Sequence, residues 1–336
     1  MLKNKIQTAG KITAAAISQD VVGLEIGAGL AQGVPAVRLQ INKQQTELLA
    51  AGFIKLDDRF PDSPEAFINN AALWSLPKSF QASRAAIAVT SPLATLRQSS
   101  ESGEDDSGGL KLRKASQGTD NQHPPMIASM PDFLAAWVAE RFPEGRRPTT
   151  RSIQVSSAAA LNCFLTGPVR QSTTRPALVV FCYQRRSAIA LFFEGGLLLY
   201  REHPVGYMTI KESISQKMNM DIGMVDTMMN DQLVDVSSVT EPLFSTLFRQ
   251  IQISADYLER RKNCAVSDFY IYGLPGGVDH WRAAFQKFVG QPLHHLHPFG
   301  GISCNHKRLR LPDYFENDAP LFMTAIGAAR ALLEDL

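Results

Sequence analysis

The order of elements written into this sequence occurs twice. Three strand-like runs, "DVVGLEIGAG" (20–29), "PAVRLQIN" (35–42) and "TELLAAGFIKL" (46–56), follow one another across short polar or Gly-bearing turns. A helix pattern comes next in "SPEAFINNAALWSLP", with Ser63 to cap it, Pro64 in its first position and Glu65 in its first turn. The strand "RAAIAVTSP" (84–92) follows. In the second half, "ALVVFCY" (177–183), "SAIALFFEG" (187–195) and "LLLYREHPV" (197–205) again read as three strands. Helical segments between about 207 and 262 follow, then the strand "SDFYIYGLPGG" (267–277), the helix "VDHWRAAFQKFVG" (278–290), the short strand "QPLHHLHP" and an Ala/Leu-rich closing helix in "PLFMTAIGAARALLEDL". A β-β-β-α-β-α order repeated without visible sequence identity predicts two similar α/β lobes.

Between them, "SSESGEDDSGGLKLRKASQGTDNQHPP" (99–125) has almost no large apolar residues. It cannot bury enough surface to offset its ordering entropy, so a disordered linker is expected. Beyond it, "MPDFLAAWVAERFP" (130–143) reads as an amphipathic helix with Phe133, Trp137 and Val138 at core spacing. The N-terminal "MLKNKIQTAGKITAAAISQD" is too interrupted for a signal peptide and reads as a short amphipathic helix. With 336 residues, 45% of them hydrophobic, there is material for two packed cores. A net charge of +2 carries no nucleic-acid footprint, and no apolar run reaches membrane-spanning length. Cys163, Cys182, Cys264 and Cys304 lack CxxC spacing and read as reduced core thiols of a cytoplasmic protein.

Three stretches could carry chemistry. In "GLEIGAG", Gly27 and Gly29 follow a buried strand and would let backbone N–H groups approach an anion closely. In "VVFCYQRRSAIALFFEGG" (179–196), a hairpin turn carries Arg185 and Arg186, which could attract an anion or simply stand in water or against an acidic neighbour. In "YGLPGGVDH", Gly273, Gly276 and Gly277 lie between a strand and a helix, suiting either a nucleoside or a plain turn. The methionines 218, 220, 224, 228 and 229 read as core filler. His294, His295, His297, Cys304 and His306 offer zinc-type ligands, but a strand sends adjacent histidines to opposite faces, so no metal site is assigned. No spacing selects a Ser/His/Asp triad.

Several segments, in order, resemble the type IV pilus assembly family PilM and its relative FtsA, within the actin-like ATPases. They are "VVGLEIGAG…AVRLQIN", "AAIAVTSPLATLRQ", "EGGLLLYREHPVGYMTIKESISQKMNM" and "LFRQIQISADYLERRKNCAVSDFYIYGLPGGVDHWRAAFQKFVGQPLHHLHPFGGI". The resemblance covers roughly 20–98 and 126–336. It implies an α/β, two-lobed actin-like (ribonuclease H-like, duplicated) fold with a reduced inserted subdomain. On that plan 1–19 is an N-terminal segment, 20–98 and 150–176 form the first lobe, and 99–149 hold the linker and the reduced insertion. Residues 177–206 and 267–336 form the second lobe, and 207–266 its small helical subdomain.

The resemblance also implies a site for ATP and Mg²⁺. Glu25 would help hold the metal and water, Gly27 and Gly29 would shape the first phosphate hairpin, and Gly273, Gly276 and Gly277 would form the adenosine loop. The second phosphate hairpin departs from the family pattern. Its Asp-x-Gly falls on Cys182 and Gln184. A thiol is no ligand for a hard Mg²⁺ ion, and a glutamine adds bulk where backbone must approach phosphate. Where the family has Glu and Lys against ribose and adenine, this chain has Asp226 and Met229. Metal, water and phosphate cradle are needed together for hydrolysis, so degenerate nucleotide chemistry is expected. The role implied is a cytoplasmic scaffold of a type IV pilus or type II secretion-like assembly, recruited to the inner membrane by the N-terminal cytoplasmic tail of a bitopic partner. The alternative is an active actin-like ATPase or sugar-kinase-like enzyme.

Overall fold

The computed structural model describes residues 20–28, 30, 32–42, 45–56, 73–90, 94–98, 112–117, 126–167, 175–231, 234–272, 278–304 and 318–334. The N-terminal segment, most of the helix expected at 63–77, and Gly29, Gly273, Gly276 and Gly277 lie outside them.

Two sheets share one plan. In the first, β1 (Asp20–Ile26), β2 (Val34–Asn42) and β3 (Gln45–Ile54) form an antiparallel meander. β4 (Arg84–Val89) then joins β1 in parallel, and β8 (Thr149–Val155) joins β4. In the second, β9 (Ala177–Cys182), β10 (Ser187–Phe193) and β11 (Gly196–His203) form the meander, and β12 (Asp268–Tyr272) and β13 (Leu293–His295) add in parallel. Both sheets therefore run third-second-first-fourth-fifth, with β14 (Ser303–Cys304) appended to the edge of the first beside β3. Purely apolar strands such as β9 arise because both faces of the sheet are covered. Its Ala177, Val179 and Phe181 belong to a core shared with the first lobe. The alternate Leu178, Val180 and Cys182 face a second core under the helices of the second lobe.

Those helices are α3 (Tyr207–Met218), α4 (Ile222–Asp231), α5 (Ser237–Lys262) and α6 (Val278–Val289). α3 and α5 each end on an asparagine in the left-handed region, Asn219 at φ 50° and Asn263 at φ 52°. The methionines of this region are not uniformly core. Met228 is buried, whereas Met224 is 61% exposed.

Between β4 and β8 the chain builds a three-stranded antiparallel sheet from β5 (Thr95–Gln98), β7 (Met126–Pro131) and β6 (Leu112–Gln117). The expected disordered linker therefore contains a strand. β6 is polar, so its pattern alone did not mark it, and it forms by pairing with the more apolar β7. α1 (Asp132–Glu140) follows; of the residues expected at core spacing Trp137 and Val138 are buried and Phe133 only partly, while Leu134 is buried beside them. The insertion is a small sheet and a helix.

The boundary at 267–336 is also corrected. β14 pairs with β3, and α7 (Met323–Glu334) packs on β1 and on α2 (Ser156–Leu165). The end of the chain thus completes the first lobe. Small residues make this possible. A Cβ on Gly23 would strike the carbonyl of Ala325, and one on Gly327 would strike that of Ala159. The alanines of α7 are there for close approach to strand and helix, not for helix propensity alone. Among the described residues, no helix is long and apolar enough to cross a membrane.

Candidate functional site

The parallel strands of the first sheet end together. Register places Ile26 of β1 opposite Val89 of β4, and Val89 opposite Val155 of β8. The residues at these ends, Glu25, Thr90 and Ser156, therefore converge at the carboxyl edge, where open α/β sheets form their clefts. Thr90 Oγ1 donates to Glu25 Oε1 at 3.1 Å and lies 3.0 Å from Ser156 Oγ. With the Thr90 proton on the carboxylate, Ser156 donates to Thr90. Gly27, at φ 78°, turns the chain away behind Glu25, a conformation that favours glycine. Glu25 is buried, and burial pushes its carboxyl up to about 7, against the opposing hydroxyls of Thr90, Ser156 and Thr324.

Across the cleft stands the turn between β9 and β10. It closes with Tyr183 N–H donating to Arg186 O at 2.8 Å. The first amides of α3 dock onto it, Tyr207 N–H to Tyr183 O at 3.1 Å and Met208 N–H to Gln184 O at 2.6 Å. A Cβ on Gly206 would strike the backbone of Arg185 and Arg186, so glycine is what lets helix and turn touch. Two helix N-terminal donors that could have faced an anion are thus spent on the hairpin's own carbonyls. Both arginines have carboxylate partners. Arg185 Nη2 lies 3.1 Å from Glu212 Oε1, and Arg186 Nη1 lies 2.5 Å from Glu202 Oε2. Cys182 lines the cleft as a buried thiol whose pKa burial pushes well above its ordinary value, with the Ser187 hydroxyl opposing. It stays neutral and offers no oxygen to a metal.

The cleft between these walls has a volume of about 730 Å³. Pro320, Leu321 and Met323 give it an apolar side. Tyr183 stands in it with its phenol raised by burial, then by Tyr200, Glu202 and Glu25, and its hydroxyl has no hydrogen-bond partner among the described residues.

Of the residues singled out from sequence, Glu25, Gly27, Arg185 and Arg186 come together in this cleft. Asp226 lies within α4. Sequence reading missed Thr90, Ser156, Tyr183 and Glu202. The usable signals were a Ser pair opening the Ala-rich run after β8, and the alternation of Tyr200 with Glu202 along β11. Elsewhere His294 and His295 lie on β13, His294 Nε2 is 4.0 Å from Asp268 Oδ1, and His297 packs on the Phe299 ring. Among the described residues no group of three His, Cys, Asp or Glu could hold a metal ion.

No family model matches the sequence, and no curated protein matches it. Solved structures do. The chain is similar to one in the "PilM-PilN type IV pilus biogenesis complex", with a TM-score of 0.68 at 16% identity over 93% of this chain and 98% of that one. A Bacteroides thetaiotaomicron protein with an actin-like ATPase fold matches with a TM-score of 0.47 at 10% identity over 87% and 96%. The archaeal actin homologue Ta0583 matches with a TM-score of 0.44 at 14% identity over 93% and 98%. With the duplicated sheet topology, the two-lobed actin-like α/β fold expected from sequence is borne out.

Proposed function

We propose that this protein is a PilM-like cytoplasmic scaffold of a type IV pilus or type II secretion-like assembly, whose cleft has lost its nucleotide chemistry. The observation that carries the reading is the likeness to a chain of the PilM-PilN complex over 93% of this chain and 98% of that one. Its partner is the N-terminal cytoplasmic tail of a bitopic inner-membrane protein, the counterpart of PilN in that complex. The tail brings the protein to the inner face of the membrane.

The cleft chemistry supports the second half of the reading. Phosphoryl transfer from a nucleotide needs a metal held by oxygens, a positioned water and donors free to cradle phosphate. Of the two carboxylates lining the cleft, Glu25 has its carboxyl raised to about 7 and Glu202 is engaged by Arg186, Ser157 and Tyr200, while the second hairpin offers only the neutral thiol of Cys182. The residues fit Mg²⁺ poorly, so no hydrolytic step is assigned. The test pairs two measurements. A pull-down with the cytoplasmic tail of a neighbouring bitopic membrane protein is expected to retain this protein. Steady-state assays with ATP and Mg²⁺ are expected to give no turnover. Turnover abolished by Glu25→Ala would establish the alternative, an active ATPase.

A further inference from the structure

Glu202 on β11 has every carboxylate oxygen engaged. Oε2 accepts from Arg186 Nη1 at 2.5 Å. Oε1 accepts from Ser157 Oγ at 3.0 Å and from Tyr200 OH at 2.9 Å. These donors come from separate parts of the molecule. Tyr200 stands two residues back on the same face of β11, and Arg186 comes from the β9–β10 turn of the same lobe. Ser157 comes from the other lobe, in the first turn of α2. Arg186 and Glu202 are both mostly withdrawn from water, with side chains 20% and 23% exposed.

A guanidinium, a hydroxyl in the first turn of a helix and a phenol converging on one point form a donor set suited to an oxyanion. In this molecule the oxyanion is part of the chain. We propose that Glu202 is a built-in anion, filling the anion place of the cleft and tying the two lobes together where a bound phosphate would otherwise bridge them. This deepens the reading of the cleft as a degenerate nucleotide site and rests on it.

Two consequences follow from the geometry. A polyphosphate entering the cleft would have to displace Glu202 from Arg186 and then sit beside its negative charge. The cleft thus rejects phosphate by charge, although about 730 Å³ of space remains. The Ser157–Glu202 bond also joins the lobes directly. β11 takes a second bond from the first half of the chain close by, where Gln98 Nε2 of the inserted sheet donates to Leu198 O at 2.9 Å.

The test is calorimetric titration with inorganic pyrophosphate on the full chain. Glu202→Gln keeps the shape and removes the charge. It is expected to bind pyrophosphate at least about tenfold more tightly than the wild type, and adding Arg186→Gln is expected to abolish the gain. Equal affinity in wild type and Glu202→Gln overturns the proposal, as does a gain that survives loss of Arg186. Should Glu202→Gln fail to fold, Ser157→Ala leaves the Arg186 pair intact and cuts only the bond between lobes. Amide exchange in the first turn of α2 and in residues 199–203 is then expected to rise at least about fivefold, and unchanged exchange overturns the proposal. ATP turnover by the wild type would sink the degenerate reading and this proposal with it, whereas equal pyrophosphate affinity in wild type and Glu202→Gln, with no ATP turnover, overturns this proposal alone.

Discussion

Thr90 Oγ1 donates to Glu25 Oε1 at 3.1 Å, so the end of β4 supplies a hydrogen bond to a carboxyl buried at the end of β1. That bond is too little to keep the acid at its ordinary strength. Burial raises Glu25 from 4.5 to about 7. The folded state therefore holds this proton more tightly than the unfolded chain. The contribution to stability is full below about pH 4.5, is lost as pH rises through about 7, and changes little above that. The whole effect is on the order of 3 kcal/mol. Urea unfolding between pH 5 and pH 8 should show the decline in the wild type and a flatter profile in Glu25→Gln. Equal slopes in both would contradict it.

Asp20, at the other end of β1, behaves oppositely. Burial works against its ionised form, but the Arg38 guanidinium, bonded through Nε at 2.9 Å and Nη2 at 2.5 Å, and the Ser83 amide and hydroxyl outweigh it. Its carboxyl therefore lies below the usual range. The stabilisation is present above about pH 3.8 and lost as pH falls through the lower folded value. Asp20→Asn should cost about 1–3 kcal/mol at pH 7 in denaturant unfolding, and its gap from the wild type should narrow toward pH 3.

Gly327→Ala should be one of the more damaging single-methyl changes in the protein. The added carbon meets the backbone of Ala159, which cannot swing aside as a flexible side chain could. A loss of about 1–3 kcal/mol is expected, read as a lower urea midpoint. An unchanged midpoint would mean that α7 and α2 do not approach as described.

The four thiols should divide by burial. Cys163 and Cys182 are buried and Cys264 and Cys304 partly exposed. Burial raises Cys163 to about 11 and Cys182 well above its ordinary value. Under native conditions a maleimide should label Cys264 and Cys304 first, with Cys163 and Cys182 reacting only in denaturant. Mass spectrometry of the labelled peptides distinguishes them, and early labelling of Cys182 would contradict its place beneath the cleft.

Much of the fold was legible because its strands are long apolar runs separated by turns, a pattern that survives without knowledge of neighbours. β9 and β10 were read almost to their ends, and β12 lies inside the longer run read for it. β6 was not, because a polar strand owes its existence to the partner it pairs with. α2 was missed because "SSAAALNCFL" is small and apolar all round, with no polar face to set a period. The end of the chain was assigned to the wrong lobe because a helix of small residues fits against either sheet, and only the gap above Gly23 and Gly327 selects one. In the cleft, Glu25 and the two arginines were legible as chemistry, and Cys182 and Gln184 as departures from the resemblance. Glu202 was not, since a glutamate in a strand ending at a histidine and a proline looks like an ordinary solvent-facing residue.

The place of α7 also bears on the birth of the molecule. β1 leaves the ribosome before the other described strands, yet the helix that covers it, beginning at Met323, is made roughly 300 residues after Ile26. Until then the face of β1 that Val21 and Gly23 share lacks the helix that covers it. The second lobe, whose sheet and helices span Ala177–His295, can mature before the first is sealed. Synthesis therefore runs against the order of assembly, and the nascent N-terminal half is the part that most needs a chaperone. A chain stopped short of Met323 should be found in inclusion bodies or bound to one, with its defect in the half that was made first.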